Sequence, residues 1–247
     1  MASPQRQYTN ELHDRFGYIA TWLPGVPVRL GDIGIMGPHG FEYVTNLKNF
    51  GIAFRVRRDS NATSYQYASA GAVSVSFNAA ADAPVLGQVA SQASAGVTVE
   101  MSRANAVLFV VQGARSPSIE NQEELGRQVL DLHEAGRWQE NYLVVTEVLE
   151  ASCGTVLISS DSNARVEIAA SGNATINTLE LANAQLGLRV RSSRNLHTQI
   201  LASEGMTPLF RARGVKRRLL GLGSAIFRSP AQAEVTELTP ADLTYEE

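Results

Sequence analysis

Tyr142-Leu143-Val144-Val145-Thr146-Glu147-Val148-Leu149-Glu150 is the stretch of the chain that best defines its fold. It combines an aromatic residue, β-branched residues and leucines, and aromatic and β-branched residues are enriched in β-strands. Glu147 and Glu150 are its only charged residues. The stretch therefore predicts a β-strand, and the patterns on either side of it predict the elements that surround that strand.

Two helices are predicted, one just before this strand and one near the start of the chain. The first covers residues 118–137, where Ser118 can cap the N-terminus and acidic side chains in the opening turns favour the positive end of the helix dipole. Apolar residues between Leu125 and Leu132 recur at helical spacing. The second helix covers about residues 7–16, where large apolar residues recur every four positions.

The rest of the chain is rich in strand patterns separated by turn residues. The predicted strands are residues 28–36, 41–47, 52–57, 72–77, 97–101, 106–111, 155–160, 164–169 and 186–192. Together with the helices they indicate an α+β fold, a twisted antiparallel sheet with flanking helices. Residues 1–218 are predicted to form one domain. Residues 219–247 are predicted to be a short tail, either a regulatory restraint or a disordered end.

Composition narrows the class of protein. Of the 247 residues, 44% are hydrophobic and only 18% are charged, whereas about a quarter is charged in a typical soluble domain. Cys153 is the single cysteine, which excludes an internal disulfide. The polar start lacks an apolar signal segment, and no run of about 18 apolar residues would form a transmembrane helix. We therefore expect the inactive protein to be cytoplasmic.

Motifs for catalysis, cofactors and nucleic acid are lacking. None of the four histidines has a second histidine or cysteine at metal-ligand spacing, and no phosphate-binding loop or nucleophile elbow occurs. A pI near 5.9 argues against a dedicated nucleic-acid-binding protein. We expect no enzyme activity, no metal and no cofactor. A soluble β-rich binding or scaffold protein and an enzyme assembled only in space are the alternatives that stay open.

Two regions alternate apolar and small polar residues, about residues 65–111 and 155–191. A membrane-spanning β-strand needs roughly nine to eleven residues with this alternation. One chain has too few strands to close a barrel, so insertion requires many copies. An ordinary soluble antiparallel sheet also alternates, and that alternative stays open. The positions predicted to insert into lipid are Val73, Val75, Phe77, Val97, Val99, Met101, Val156, Ile158, Val166, Ile168, Leu186 and Leu188.

Basic residues cluster in two segments, which predicts binding to acidic phospholipids. Each Lys or Arg near an anionic membrane surface contributes about 1 kcal/mol. The predicted lipid-binding residues are Arg55, Arg57, Arg58, Arg211, Arg213, Lys216, Arg217 and Arg218. Met36 and Phe41 flank a turn, and they are predicted either to anchor the protein in the membrane or to form a buried hairpin end.

The strand at residues 142–150 closely resembles the Tyr-Val-Val-Thr-Glu-Val signature strand of the gasdermin pore-forming domain. As in that family, a charged helix precedes it and an apolar strand, Leu186-Gly187-Leu188-Arg189-Val190, follows it. Phe41-Glu42-Tyr43-Val44-Thr45-Asn46-Leu47 is similar to an early strand of the family. The order of elements is similar over about residues 5–215, and residues 142–150 are the specific part.

The resemblance implies a fold like the gasdermin N-terminal domain. Gasdermins bind acidic phospholipids such as cardiolipin or phosphoinositides, oligomerise, and insert two β-hairpins per subunit. The result is a large transmembrane β-barrel in the cell membrane and programmed cell death. By position, the resemblance also implies lipid contacts for Arg6 and Arg15 on the first helix.

Departures from the family bear on activation. Animal gasdermins carry a large inhibitory domain, for which this chain has no room, and bacterial members carry a lipid-modified cysteine near the start, which is missing here. We expect the short microbial type, bacterial or fungal. The fungal proteins act in heterokaryon incompatibility, a form of defence, and are triggered by a non-identical partner. Proteolysis and encounter with a homologue stay open as triggers, so the pore is predicted to be a homo-oligomer or a hetero-oligomer with a homologue.

Overall fold

A computed structural model of the chain describes residues 3–37, 40–78, 96–170, 177–217 and 225–226. The contacts divide the chain into two compact units. Unit 1 contains Met1–Glu11, Ala62–Ala114 and Ala151–Met206, and unit 2 contains Leu12–Asn61, Arg115–Glu150 and Thr207–Glu247. Most of the predicted tail, residues 219–247, lies outside the described residues, as do residues 79–95 of the first predicted hairpin.

The elements confirm the predicted α+β class, with antiparallel strand pairs and two α-helices among the described residues. The helices are α1 (Pro4–Phe16) and α2 (Gln122–Glu134), and 3-10 turns lie at Leu47–Phe50, Leu179–Ala182 and Ala184–Leu186. The strands are β1 (Ile19–Ala20), β2 (Asp32–Gly37), β3 (Gly40–Asn46), β4 (Val56–Arg57), β5 (Thr63–Ala68), β6 (Val73–Asn78), β7 (Gly96–Met101), β8 (Val107–Ala114), β9 (Ser118–Ile119), β10 (Leu143–Ser159), β11 (Ala164–Ala169), β12 (Arg189–Arg194), β13 (Leu196–Gly214), β14 (Lys216–Arg217) and β15 (Ala225–Ile226).

Unit 2 is built around strands in the order β1, β13, β10, β2, β3. Residues 143–150 of β10 lie at the centre of this order. Val144 packs with Ile33 in a cluster that also takes the apolar stripe of α2, whereas Val145 packs with Phe210 in a second cluster. Since successive side chains of a strand point to opposite faces, the predicted 142–150 strand is buried on both sides.

Unit 1 contains two sets of paired strands. Residues 153–158 of β10 pair with β8, and β8 pairs with β5 on its other side. The remaining strands form a four-stranded sheet in the order β12, β11, β7, β6. Leu108 and Leu157 from the first set pack in one buried cluster with Val99 and Val166 from the four-stranded sheet. The core of unit 1 therefore lies on one face of that sheet.

The start of α2 was predicted wrongly, because the residues before it form a strand. Ser118 lies opposite Glu147 of β10 and opposite Arg57 of β4, so it belongs to β9 and cannot cap the helix. The N-cap residue is Asn121, whose side chain makes no capping hydrogen bond. The helix at residues 7–16 is confirmed and begins earlier, at Pro4.

Two strand predictions fail because neighbouring residues extend or replace the strand. Residues 155–160 are not a separate strand, since β10 continues through Cys153 and Gly154, which pair with β8. Residues 186–192 do not form a strand as a whole, because Leu186 ends a 3-10 turn and β12 begins at Arg189.

Two further strands are shorter than predicted. The strand predicted at residues 28–36 begins only at Asp32. The Asp32 carboxylate accepts a hydrogen bond of 2.8 Å from the Arg29 amide and thereby closes a turn before the strand. Residues 52–57 form a strand only at Val56–Arg57, because only these residues pair with β9. The strands predicted at residues 41–47, 72–77, 97–101, 106–111 and 164–169 are confirmed to within a few residues.

Candidate functional site

The two predicted hairpins come together in the four-stranded sheet of unit 1. β6 pairs with β7 with Val75 opposite Val99, and β7 pairs with β11 with Val99 opposite Val166. β11 pairs with β12, with an irregularity after Glu167, which lies opposite Ser192. Two hairpins that are far apart in the sequence thus form one continuous antiparallel ladder.

One face of this sheet is apolar. The residues that are at most 2% exposed are Val97, Val99, Met101, Ala164, Val166 and Ile168. Val73 and Val75 pack partly buried against the same cluster, and Phe77, farther along β6, is 42% exposed. The predicted lipid-facing residues of these three strands therefore share one face, which covers the core of unit 1.

The other face is polar and carries an ion-pair network. Arg165 lies 2.5 Å from Glu100 of β7 and 2.9 Å from Glu167 on its own strand. The hydrogen bonds from Arg165 and then from Ser192 lower the pKa of Glu167. Arg194 of β12 lies opposite Arg165 in the ladder. The sheet is amphipathic as a whole, with one dry face and one charged face.

Four other predicted lipid-facing residues lie outside these strands. Val156 and Ile158 are fully buried in β10, opposite Phe109 and Val107 of β8, and are not part of the four-stranded sheet. Leu186 and Leu188 lie before β12 and are partly buried against the core of unit 1. Alternation alone could not separate a core strand from a hairpin strand, because both alternate.

The predicted lipid-binding arginines differ in their surroundings. Arg6 is exposed on α1 in unit 1, and Arg15 is exposed in unit 2. Arg55, Arg57 and Arg58 are exposed in unit 2, where Arg55 also lies 3.3 Å from Glu120. Arg57 and Arg58 are therefore the cations of this segment that remain available to a ligand outside the protein.

Arg211 contacts Tyr18 and Glu147, and the sequence did not indicate these contacts. Its guanidinium lies 4.4 Å from the centre of the Tyr18 ring and 3.9 Å from the Glu147 carboxylate. The Tyr18 hydroxyl donates a hydrogen bond to Glu147, and burial, followed by that bond, raises the pKa of Tyr18 to about 12. Arg213 is half-buried. The backbones of Lys216 and Arg217 pair with β15, and Arg218 lies outside the described residues.

Met36 and Phe41 are half-buried in this structure, which fits a hairpin end, and their role as a membrane anchor stays a prediction. They lie opposite each other in β2 and β3 and pack, half-buried, against an apolar cluster of unit 2. The Phe41 ring lies 5.4 Å from that of Phe210. The exposed apolar residues of β3 are instead Tyr43 and Val44, at 60% and 44%.

Among the helices of the described part, none is long and apolar enough to cross a membrane. Nor do three or more His, Cys, Asp or Glu side chains in these ranges come together as they would around a metal ion.

Known proteins offer limited similarity. No model of a protein family matches the sequence, and no curated protein matches it significantly. Among solved structures, the chain is similar to a bacterial gasdermin from Bradyrhizobium tropiciagri, with 17% identity, a TM-score of 0.38, and coverage of 90% of this chain and 89% of that one. It is also similar to the gasdermin A3 membrane pore, with 13% identity, a TM-score of 0.36, and coverage of 94% and 99%. Both of these solved structures are gasdermins, the family whose signature strand residues 142–150 resemble.

Proposed function

We propose that the protein is a pore former: it binds acidic phospholipids, oligomerises, inserts two β-hairpins per subunit and permeabilises membranes, which causes regulated cell death. The observation that carries this proposal is the amphipathic four-stranded sheet, built from β6, β7, β11 and β12. The inactive protein is proposed to be cytoplasmic and the active one to reside in the cell membrane.

The apolar face of the sheet can exchange the protein core for lipid at little hydrophobic cost. A fully buried Val, Ile or Met side chain contributes about 1.5–3 kcal/mol relative to exposure to water. Hydrocarbon tails are as apolar as the core, so this contribution is retained if Val99, Val166 and Ile168 pass from one to the other. The polar face, with Arg165 and Glu167, would then line a water-filled lumen.

The antiparallel order of the sheet allows identical copies to continue it. Three antiparallel steps separate β12 from β6, so these two outer strands run in opposite directions. β6 of one copy can therefore pair with β12 of the next in the same antiparallel pattern. A head-to-tail contact of this kind forms a ring when the rotation closes, and closure leaves no unpaired strand edge in lipid.

Dye release from liposomes tests the proposal. The full chain is mixed with vesicles that contain cardiolipin or a phosphoinositide and with vesicles of neutral lipid, either alone, after limited proteolysis, or with a homologue. We expect release from the acidic vesicles in at least one condition, together with large oligomers. A monomer that releases no dye under any of the three conditions would refute the pore and favour a β-rich binding or scaffold protein.

Membrane binding should depend on the exposed arginines at the end of β4. Arg57→Glu combined with Arg58→Glu changes the local charge by four, and each basic residue near an anionic surface is worth about 1 kcal/mol. We therefore expect sedimentation with cardiolipin vesicles to fall by at least tenfold. Arg127→Glu combined with Arg137→Glu reverses two exposed arginines on and just after α2, so it is the matched control and should sediment like the wild type. Equal sedimentation of all three proteins would exclude this segment as the lipid contact.

A further inference from the structure

A cavity of about 390 Å³ lies at one end of the four-stranded sheet of unit 1. β6 and β11 begin at this end of the sheet, and β7 and β12 finish there. Its polar lining consists of Ser74, Glu100, Ser102, Asn163, Arg165 and Arg194, and we call it the basal cavity. Sites for small organic ligands start at about 300 Å³, so the basal cavity is large enough to hold one.

Two arginines of the basal cavity lie directly opposite each other on neighbouring strands. Arg165 of β11 pairs with Arg194 of β12 in the ladder. Like charges in this position destabilise a sheet, because the side chains of paired residues lie close together. Departures from such local rules are expected at functional sites, and an anion held between the two guanidinium groups would relieve the repulsion.

The carboxylates near this pair neutralise only Arg165. Its Nη1 atom donates to Glu100 at 2.5 Å, and its Nε and Nη2 atoms donate to Glu167 at 3.1 and 2.9 Å. Arg194 is exposed, and its guanidinium makes no ion pair or hydrogen bond with the residues that the structure describes. The lining therefore carries two arginines against one carboxylate, Glu100, and the unbalanced positive charge belongs to Arg194.

Neutral side chains complete the lining. Ser74 and Ser102 each contribute a hydroxyl group and Asn163 contributes an amide, and these groups can donate to the oxygens of a ligand. The Ser102 amide donates a hydrogen bond of 2.9 Å to the Ala72 carbonyl, so the backbone fixes this wall of the cavity. Val73 adds apolar surface. A ligand that fits has an oxyanion at one end and a small uncharged body at the other.

We propose that the basal cavity binds a small soluble phosphomonoester, whose phosphate group lies between Arg194 and Arg165. A guanidinium group matches phosphate oxygens with two parallel hydrogen bonds, and Arg194 has its whole fork available for them. A lipid headgroup carries the same phosphate, but Ser74, Glu100 and Arg165 follow one another across the polar face of the sheet, away from the apolar surface that acyl chains need. This inference does not depend on the proposed pore, because the ligand binds to the protein in water.

Calorimetric titration at low ionic strength tests the site, with adenosine 5′-monophosphate as the probe and adenosine as its uncharged counterpart. We expect the monophosphate to bind at one site per chain, inorganic phosphate to compete with it, and adenosine not to bind. Arg194→Gln should weaken binding at least tenfold, which corresponds to ~1.4 kcal/mol, because it removes the charged donor of the site. Its melting temperature should not fall, since the substitution also removes the repulsion from Arg165.

Two further variants separate a local site from the general charge of β12. Arg189→Gln removes an exposed arginine of the same strand, opposite Ala169 and about 16 Å along the strand from Arg194, and it should bind the monophosphate like the wild type. Glu100→Gln should bind about threefold more tightly, because the lining loses a negative charge and Arg165 loses a competing partner. Equal weakening by Arg194→Gln and Arg189→Gln would overturn the site and show that binding reports only diffuse charge.

Sedimentation with phosphoinositide vesicles distinguishes the two sources of phosphate. Arg194→Gln should sediment like the wild type if the ligand is soluble. A wild type that ignores the monophosphate would overturn the proposal, and a loss of sedimentation by Arg194→Gln would then identify a lipid headgroup instead. Neither measurement uses dye release, so a protein that forms no pore still decides whether the basal cavity binds a phosphomonoester.

Discussion

Replacing Phe77 by arginine is expected to reduce dye release from cardiolipin vesicles by at least a hundredfold without unfolding the protein. Phe77 lies opposite Val97 on the apolar side of β6, yet it is 42% exposed, so a charge at this position is tolerated in water. In an inserted strand the same side chain would face lipid, where arginine costs about 2–4 kcal/mol near mid-depth. Every subunit carries the substitution, so two adjacent subunits together raise the free energy of insertion by about 4 kcal/mol. This corresponds to a change of nearly a thousandfold in the insertion equilibrium.

The neighbouring residue provides the control for this prediction. Ser76 lies opposite Thr98 on the polar side of the same ladder and is exposed. Ser76→Arg adds the same charge one residue away, and it should release dye at a rate close to that of the wild type because it would face the lumen. Vesicle sedimentation of both variants shows whether they still reach the membrane. Equal release by the two variants would mean that β6 does not present its apolar side to lipid.

Other residues on the apolar face are less informative targets. Val99 and Val166 are at most 1% exposed, and a charge at either would disrupt the core of unit 1 before any membrane is met. A loss of dye release in such a variant would report on folding alone. Phe77 avoids this because the sheet leaves part of its ring in water.

The hairpin sheet was predictable because its chemistry is local. Alternation of Val97, Val99 and Met101 with Thr98 and Glu100 specifies a half-buried strand without knowledge of its neighbours. The pairing of β7 with β11 was not predictable, since about 65 residues separate Glu100 from its partner Arg165 and no short-range signal joins them.

In the two longest strands, β10 and β13, residues that usually end a strand lie inside it. Glycine often marks the end of a strand, yet β10 continues through Gly154. A Cβ atom at this position would lie only 2.9 Å from both Val111 and Met206. Glycine is thus needed there for close packing rather than for a turn. β13 contains Gly205, with φ of 64°, and Pro208, two residues that normally indicate a loop, and its full length was not predicted. Tertiary pairing overrides these local signals.

A partly buried carboxylate at the base of the first hairpin is the other position where substitution is expected to have a large effect. Glu11 of α1 accepts hydrogen bonds from the Tyr67 hydroxyl at 3.0 Å, the Ser69 hydroxyl at 2.5 Å, Gln7 Nε2 at 2.8 Å and Arg103 Nη2 at 2.6 Å. The sequence did not indicate this cluster, since most of its members are more than fifty residues from Glu11. It fixes α1 to the chain on both sides of β6 and β7.

We expect Glu11→Ala to lower the free energy of unfolding by about 2–4 kcal/mol. Removal of one partner from a buried ion pair costs about 3–5 kcal/mol, and the value is reduced here because the Arg103 side chain is 39% exposed and can be hydrated. Ser69 is 1% exposed, so its hydroxyl would lose an acceptor that water cannot easily replace. Urea unfolding at neutral pH measures the change. Asp14→Ala, an exposed acid on the same helix, is the control and should change stability by less than about 0.5 kcal/mol.

The same carboxylate should make stability depend on pH in the acid range. Burial alone would raise the pKa of Glu11, but the hydrogen bonds from Ser69, Gln7, Arg103 and Tyr67 outweigh burial and lower it. A carboxyl whose pKa is lower in the folded than in the unfolded state stabilises the fold above its unfolded pKa, and this stabilisation is lost as the pH falls through the folded pKa. The stability gap between the wild type and Glu11→Gln should therefore be full at pH 7 and shrink as the pH drops below about 4. Burial and then the neighbouring Glu11 raise the pKa of Tyr67, so this donor does not titrate in the acid range. A stability gap that stays constant would therefore show that the Glu11 charge is not what holds the cluster together.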